Sequence, residues 1–257
     1  MSMADLSVSG HSGGGVLFIL AVAFIAGLAR GFSGFGAALI FMPLASSVIG
    51  PKSTAPLLLI IDAVAALGLL PRGWLLADRP SVGTMTLGAL VGVPLGTYAL
   101  TRMDPLALRW GIVLLVVLLL GLLMSGWRYH GRPATPLTVG VGGLAGFFSG
   151  AAQVGGPPVV AYWLGGGGNG EVVRANIILY FALSSALTAA SYLAGGLITR
   201  PVLALALVTG PFYGSGLYLG SRLFGRTSER GYRWACYGLI AVASIVSLPA
   251  LDSILGR

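Results

Sequence analysis

Ten stretches of nearly unbroken apolar residues govern what this chain can become. They fall at residues 15–29, 37–49, 54–70, 81–100 and 105–125, and again at 137–148, 154–164, 177–197, 201–221 and 231–250. The longer ones reach the roughly 20 residues that a helix needs to cross a bilayer. Apolar character is continuous within each run, whereas the strands of a membrane barrel alternate apolar with polar positions. Water is no alternative solvent, because 9% of the residues are charged, against about 25% in soluble domains. With a mean hydropathy of +0.92, the sequence predicts an all-α, polytopic transmembrane helical bundle in contact with membrane lipid.

The net charge of +8 does not point to nucleic acid. The basic residues stand singly at the ends of apolar runs instead of forming one patch, and that is how membrane topology is encoded. The lone Cys236 excludes an internal disulfide framework and a cysteine-based zinc cluster, and His11 and His130 fall in loops, so no metal site is expected. Residues 165–168 are four glycines followed by Asn169; no Lys-Ser/Thr follows, so this is a turn and not a phosphate loop. No cofactor motif, acid pair or nucleophile elbow is present, and an enzyme is not expected. The first dozen residues carry Asp5 and no Lys or Arg, which argues against a cleavable signal peptide.

The chain repeats itself. Phe32-Ser33-Gly34 returns as Phe148-Ser149-Gly150, Arg79-Pro80 as Arg200-Pro201, Thr101-Arg102 as Ser221-Arg222, and Arg109-Trp110 as Arg233-Trp234, at offsets between 116 and 124 residues. Four matches in order favour a duplication, with a first repeat at 1–126, a polar linker at 127–133 and a second repeat at 134–257. In each half the first two apolar segments are short, and a Gly-rich break separates them: residues 31–36 in one half, 149–158 in the other. Short, interrupted segments at corresponding positions of two halves point to a transporter binding site. Each pair is expected to form a broken or re-entrant hairpin meeting near mid-membrane, followed by three transmembrane helices.

A hairpin returns to its starting side and three further spans do not, so the two repeats are expected to be inverted. One side then collects Arg72, Arg79, Arg128, Arg132, Arg174, Arg222, Arg226, Arg230 and Arg233, the other Lys52, Arg102, Arg109, Arg200 and Arg257. The larger group belongs in the cytoplasm, which places both termini outside the inner membrane of a bacterial cell. Gly88, Gly92 and Gly96, and likewise Gly142, Gly146 and Gly150, recur every four residues, a spacing that lets helix backbones approach closely in lipid.

Arg30 stands directly before the first break. A guanidinium deep in the bilayer costs at least about 2.5–3.5 kcal/mol on insertion scales, so it requires a partner or a ligand. It either pairs with an anionic substrate, bidentate for an oxyanion, or snorkels to a shallower interface; the first is favoured. Helix ends at the breaks would present free amides and a positive dipole. Ser33, Ser149 and Gln153 would add donors, and Gly34, Phe35, Gly36, Gly150, Gly155 and Gly156 would bring backbone to the substrate. Asp62, mid-segment, either pairs with Arg30, takes up a proton during transport, or is a protonated structural acid. Asn176, Tyr180, Ser184 and Thr188, continued by Ser191 and Tyr192, line one helix face, bordering a translocation path or gluing helices together.

These features favour a secondary transporter of a small anion; a passive anion channel and a non-transporting membrane assembly factor are the alternatives. The run from Arg30-Gly31-Phe32-Ser33-Gly34-Phe35-Gly36 to Pro43, with Ser149-Gly150 to Pro157-Pro158, resembles the TauE/SafE family of sulfite and organosulfonate exporters over nearly the whole chain. That resemblance implies export, or in some members uptake, of sulfite, sulfoacetate or related sulfur-containing anions. In the family a run of three glycines follows the first break; here Phe35-Gly36-Ala37-Ala38 stands in its place. Gly155-Gly156 is what the second half keeps of it.

Overall fold

The structure, a computed structural model, describes residues 13–33, 36–129, 131, 134–165, 169–223 and 229–252. Every regular element among the described residues is helical: α1 Gly13–Ser33, α2 Ala37–Ile49, α3 Pro51–Ala66, α4 Leu70–Leu76, α5 Arg79–Arg102, α6 Pro105–Ser125, α7 Thr135–Ala152, α8 Gly156–Trp163, α9 Gly170–Ala194, α10 Arg200–Leu223 and α11 Glu229–Val246. Five of these, α1, α5, α6, α9 and α10, are long and apolar enough to cross a membrane. The chain is therefore a multi-pass membrane protein built as a helical bundle.

Local chemistry sets the helix ends. α5 starts where the Asp78 side chain accepts the Ser81 amide, with Pro80 in its first turn, a position where the missing N–H costs nothing. Asn169 caps α9 by accepting the Glu171 amide at 2.9 Å, and Glu171 complements the positive helix end. The apolar run at 54–70, read from sequence as a single span, is divided. α3 gives way to a 3₁₀ turn at Leu67–Leu69, and a further short helix, α4, begins with Pro71 in its first turn. Gly68 weakens the helix at the turn and Pro71 removes an amide just after it, which together end one helix and start the next.

A second correction concerns the segments that open each half. α1 has 21 residues and α7 has 18, longer than the apolar runs that foretold them; shortness is confined to α2, with 13, and α8, with 8. Both opening helices run straight through glycines that were read as the start of the break. Those glycines are helix-packing positions. A methyl group at Gly31 would overlap the Leu217 carbonyl oxygen of α10, and one at Gly150 the Val93 carbonyl oxygen of α5.

The described chain separates into two compact units, each drawing on both halves of the sequence. One comprises Met1–Ile61, Pro105–Val116 and Leu197–Arg257. In it α1 lies against α10, and α2 packs on α1 and α11. Gly27 and Gly31 of α1 face the backbone of α10 at Tyr213 and Leu217, while Gly216 and Gly220 of α10 face that of α1 at Phe24 and Leu28. The Arg109 guanidinium closes this unit by donating to both carboxylate oxygens of Asp252, at 2.6 and 2.9 Å.

The other unit comprises Asp62–Asp104 and Val117–Gly196. Its spine is the seam between α5 and α7, where Gly88, Gly92 and Gly96 meet the backbone of Val139, Gly143 and Phe147. Gly142 and Gly150 reciprocate against Met85 and Val93. α9 covers this seam and α4 packs on α9. The seam is closed by a buried core of Val82, Met85, Ala89, Val93, Ala145, Val159 and Tyr180.

Candidate functional site

The clearest geometry lies at the second break. α7 ends at Ala152, and Gln153 follows in the left-handed region at φ 58°, ψ 18°. It is the one non-glycine with positive φ among the described residues. A conformation that costs about 1 kcal/mol or more persists only where its surroundings enforce it. Here the Gln153 amide donates to Ser149 O at 3.0 Å and the Val154 amide to Phe148 O at 3.3 Å. The Gln153 side chain folds back, Nε2 donating to Ser149 O at 3.1 Å and to the Tyr192 hydroxyl at 3.4 Å. Tyr192, fully buried on α9, in turn donates to Gly150 O at 2.8 Å.

These bonds fix the carbonyl end of α7 and leave the donors of the next turn open. α8 begins at Gly156, with Pro157 and Pro158 in its first turn, so two of the amides that usually stand free at a helix start do not exist. The amides of Gly155 and Gly156 remain, with no acceptor among the described residues. Beside them is the Ser149 hydroxyl: a methyl group on Gly155 would overlap Ser149 Oγ and the Ala145 carbonyl oxygen. Ser149 is 9% exposed, and no hydrogen bond among the described residues involves its hydroxyl. Two backbone amides and one hydroxyl thus converge on the positive end of α8, a donor set suited to an anion.

α8, at 8 residues, is about 12 Å long, far short of the roughly 30 Å hydrocarbon core. Its far end returns to the beginning of α7, where the hydroxyls of Thr138 and Tyr162 are hydrogen-bonded. The α7–α8 pair is therefore a helical hairpin whose second arm is too short to span a bilayer. The linker secures it: the Tyr129 amide donates to Ala161 O at 3.1 Å, and the Tyr129 ring stacks on Tyr162 at 5.3 Å between centroids.

At the first break, Gly36 adopts φ 105° and caps α2, a conformation that glycine alone takes without strain. Gly34 and Phe35 lie outside the described residues, as does the side chain of Ser33. Arg30 sits in the last turn of α1, where a cation also complements the negative helix end. Arg30 and, on α3, Asp62 are both half-buried, and each is held by at least one hydrogen-bonding or electrostatic contact.

The polar face of α9 is turned inward. Asn176 Oδ1 accepts the Asp78 amide at 2.7 Å, the Tyr180 hydroxyl donates to Gly142 O at 3.3 Å, and Thr188 donates to its own helix at Ser184 O, at 2.8 Å. All four of Asn176, Tyr180, Ser184 and Thr188 are buried, and Asn176 and Tyr180 tie α9 to the start of α5 and to α7. Tyr192 belongs to the same face. Its bond to the break could not be read from spacing, which shows that residues share a face but not which carbonyls they reach.

Comparison with known proteins bears on the same residues. No curated protein and no solved structure matches the chain. The family model described as sulfite exporter TauE/SafE matches residues 19–247, a span that includes both breaks, the α5–α7 seam and the polar face of α9. That match takes in most of the chain, and the protein belongs to the TauE/SafE family of membrane transporters.

Proposed function

We propose that the protein is a secondary transporter that exports a small anion, sulfite or an organosulfonate, across the bacterial inner membrane. The observation that carries this reading is the set of open donors at the start of α8: the Gly155 and Gly156 amides and the Ser149 hydroxyl, none with an acceptor among the described residues. Unsatisfied donors within hydrocarbon cost several kcal/mol each, so a re-entrant helix that keeps them open is suited to a ligand or water that accepts from them. Family membership supplies the chemical class, an oxyanion of sulfur.

In this reading the two breaks are the binding segments. At the second break Ser149 donates to the anion, Gln153 orients it, and Gly155 and Gly156 set the backbone; at the first, Arg30 supplies positive charge, Ser33 a donor, and Gly34, Phe35 and Gly36 the backbone. A rearrangement of the helices gives alternating access, and the proton gradient drives the cycle through Asp62. Asn176, Tyr180, Ser184 and Thr188 flank the path.

The test is sulfite flux in proteoliposomes. Arg30→Gln should abolish uptake while the purified protein remains monodisperse, and Ser149→Ala should weaken apparent affinity about three- to tenfold, the loss of one hydrogen bond. Asp62→Asn should abolish accumulation against a gradient while leaving downhill exchange. Undiminished flux in Arg30→Gln removes that residue from the mechanism. Non-saturable flux that never accumulates substrate would replace the transporter with a passive channel.

A further inference from the structure

The Gln153 amide divides its two ends unequally. Both hydrogens of Nε2 are committed, one to Ser149 O and one to the Tyr192 hydroxyl, and Tyr192 directs its own hydrogen to Gly150 O. The side chain is thereby held in one orientation, with Oε1 as its unpartnered atom among the described residues. An amide locked in this way cannot turn to present a donor without giving up a bond to α7 and a bond to α9. Gln153 therefore contributes an acceptor to the break, and an acceptor is a poor neighbour for a bare anion.

The position makes this matter. Gln153 is two residues ahead of Gly155, so their Cα atoms are at most about 7 Å apart. Its left-handed backbone also aims the side chain back over the end of α7 instead of along the chain. The break thus combines three donors, at Gly155, Gly156 and Ser149, with one fixed acceptor.

We infer that the substrate is an anion that also carries a hydrogen-bond donor, such as a hydroxyl or an acidic proton, and that Gln153 Oε1 selects for it. This deepens the transport reading and rests on it. The anionic group takes the donors at the start of α8, and the substrate's O–H donates to Gln153. An anion of the same size without a donor leaves Oε1 facing a desolvated group, and such mismatches are where hydrogen-bonding sites discriminate best.

The pair 2-hydroxyethanesulfonate and ethanesulfonate, which differ by one hydroxyl, tests this on the full-length protein in proteoliposomes, as competitors of sulfite flux and as ligands in thermal melts. The wild type is expected to favour the hydroxylated sulfonate about five- to tenfold, the range of one neutral hydrogen bond. In Gln153→Met the ratio of the two sulfonates should fall to about one, whatever the change in their absolute affinities. Tyr192→Phe, which frees one of the amide hydrogens, should lower the ratio partway, and it serves if Gln153→Met does not fold. Wild-type protein that transports sulfite yet shows no preference between the two sulfonates overturns the selection by Gln153 and leaves the transport reading standing. Protein that neither moves nor binds sulfite or either sulfonate overturns both.

Discussion

A methyl group added at Gly155 would meet the Ser149 hydroxyl and the Ala145 carbonyl oxygen together, and the carbonyl cannot move without disturbing α7. Gly155→Ala should lower stability by about 1–3 kcal/mol, read as a fall in melting temperature of the detergent-purified protein. It should also weaken anion binding, because the same shift displaces the open amides. Thr97 gives the opposite expectation. Its hydroxyl is buried on α5 with no partner among the described residues, and a polar group left unsatisfied in a core costs about 1–3 kcal/mol. Thr97→Val, isosteric and apolar, should leave the melting temperature unchanged or raise it. At this scale the sequence was informative about which residues matter and silent about their roles. Ser149, Gln153 and Gly155 stood out because glycines and polar groups interrupt an apolar run. That Gln153 would present its oxygen was unreadable, because it depends on Tyr192, 39 residues further along.

Helix by helix, the apolar runs translated well where they were long, and less well where glycine was frequent. Glycine in a chain like this has two meanings, a helix end or a helix seam, and spacing alone does not separate them. Gly150 was read as part of a break and lies inside α7 against Val93; Gly36 was read the same way and does cap α2. The difference is the presence of a neighbouring backbone, which is tertiary information. The two kinds of helical glycine should respond oppositely to substitution. Gly92→Ala places a methyl group on the Gly143 carbonyl oxygen across the α5–α7 seam and should cost about 1–3 kcal/mol. Gly121→Ala, on α6 with nothing within 4 Å of the added atom, should be neutral or gain up to about 1 kcal/mol in helix propensity. Thermal melts of the two variants side by side check both.

Taken whole, the molecule has an assembly that its motifs do not announce. Nothing in the matching motifs says that α1 would pack on α10, or α7 on α5, because those pairings join positions far apart in the chain. The Arg109–Asp252 pair is a further long-range tie, linking the first turns of α6 to the segment after α11. Its guanidinium is mostly buried, 13% exposed, and Asp252→Asn should destabilise the protein by about 1–2 kcal/mol, discounted from the 3–5 kcal/mol of a fully buried pair. The interleaving also orders the protein's birth. The unit built on the α5–α7 seam has all its helices once Ala194 has left the ribosome, whereas α1, although made before them, waits for α10 to be synthesised before its glycine face is covered. During that interval α1 must stay in lipid or against the insertion machinery with its binding surface bare. Newborn chains are thus most vulnerable to mispairing and proteolysis in their earliest segment, and a ribosome stalled between α9 and α10 would release a product with one unit closed and the other open.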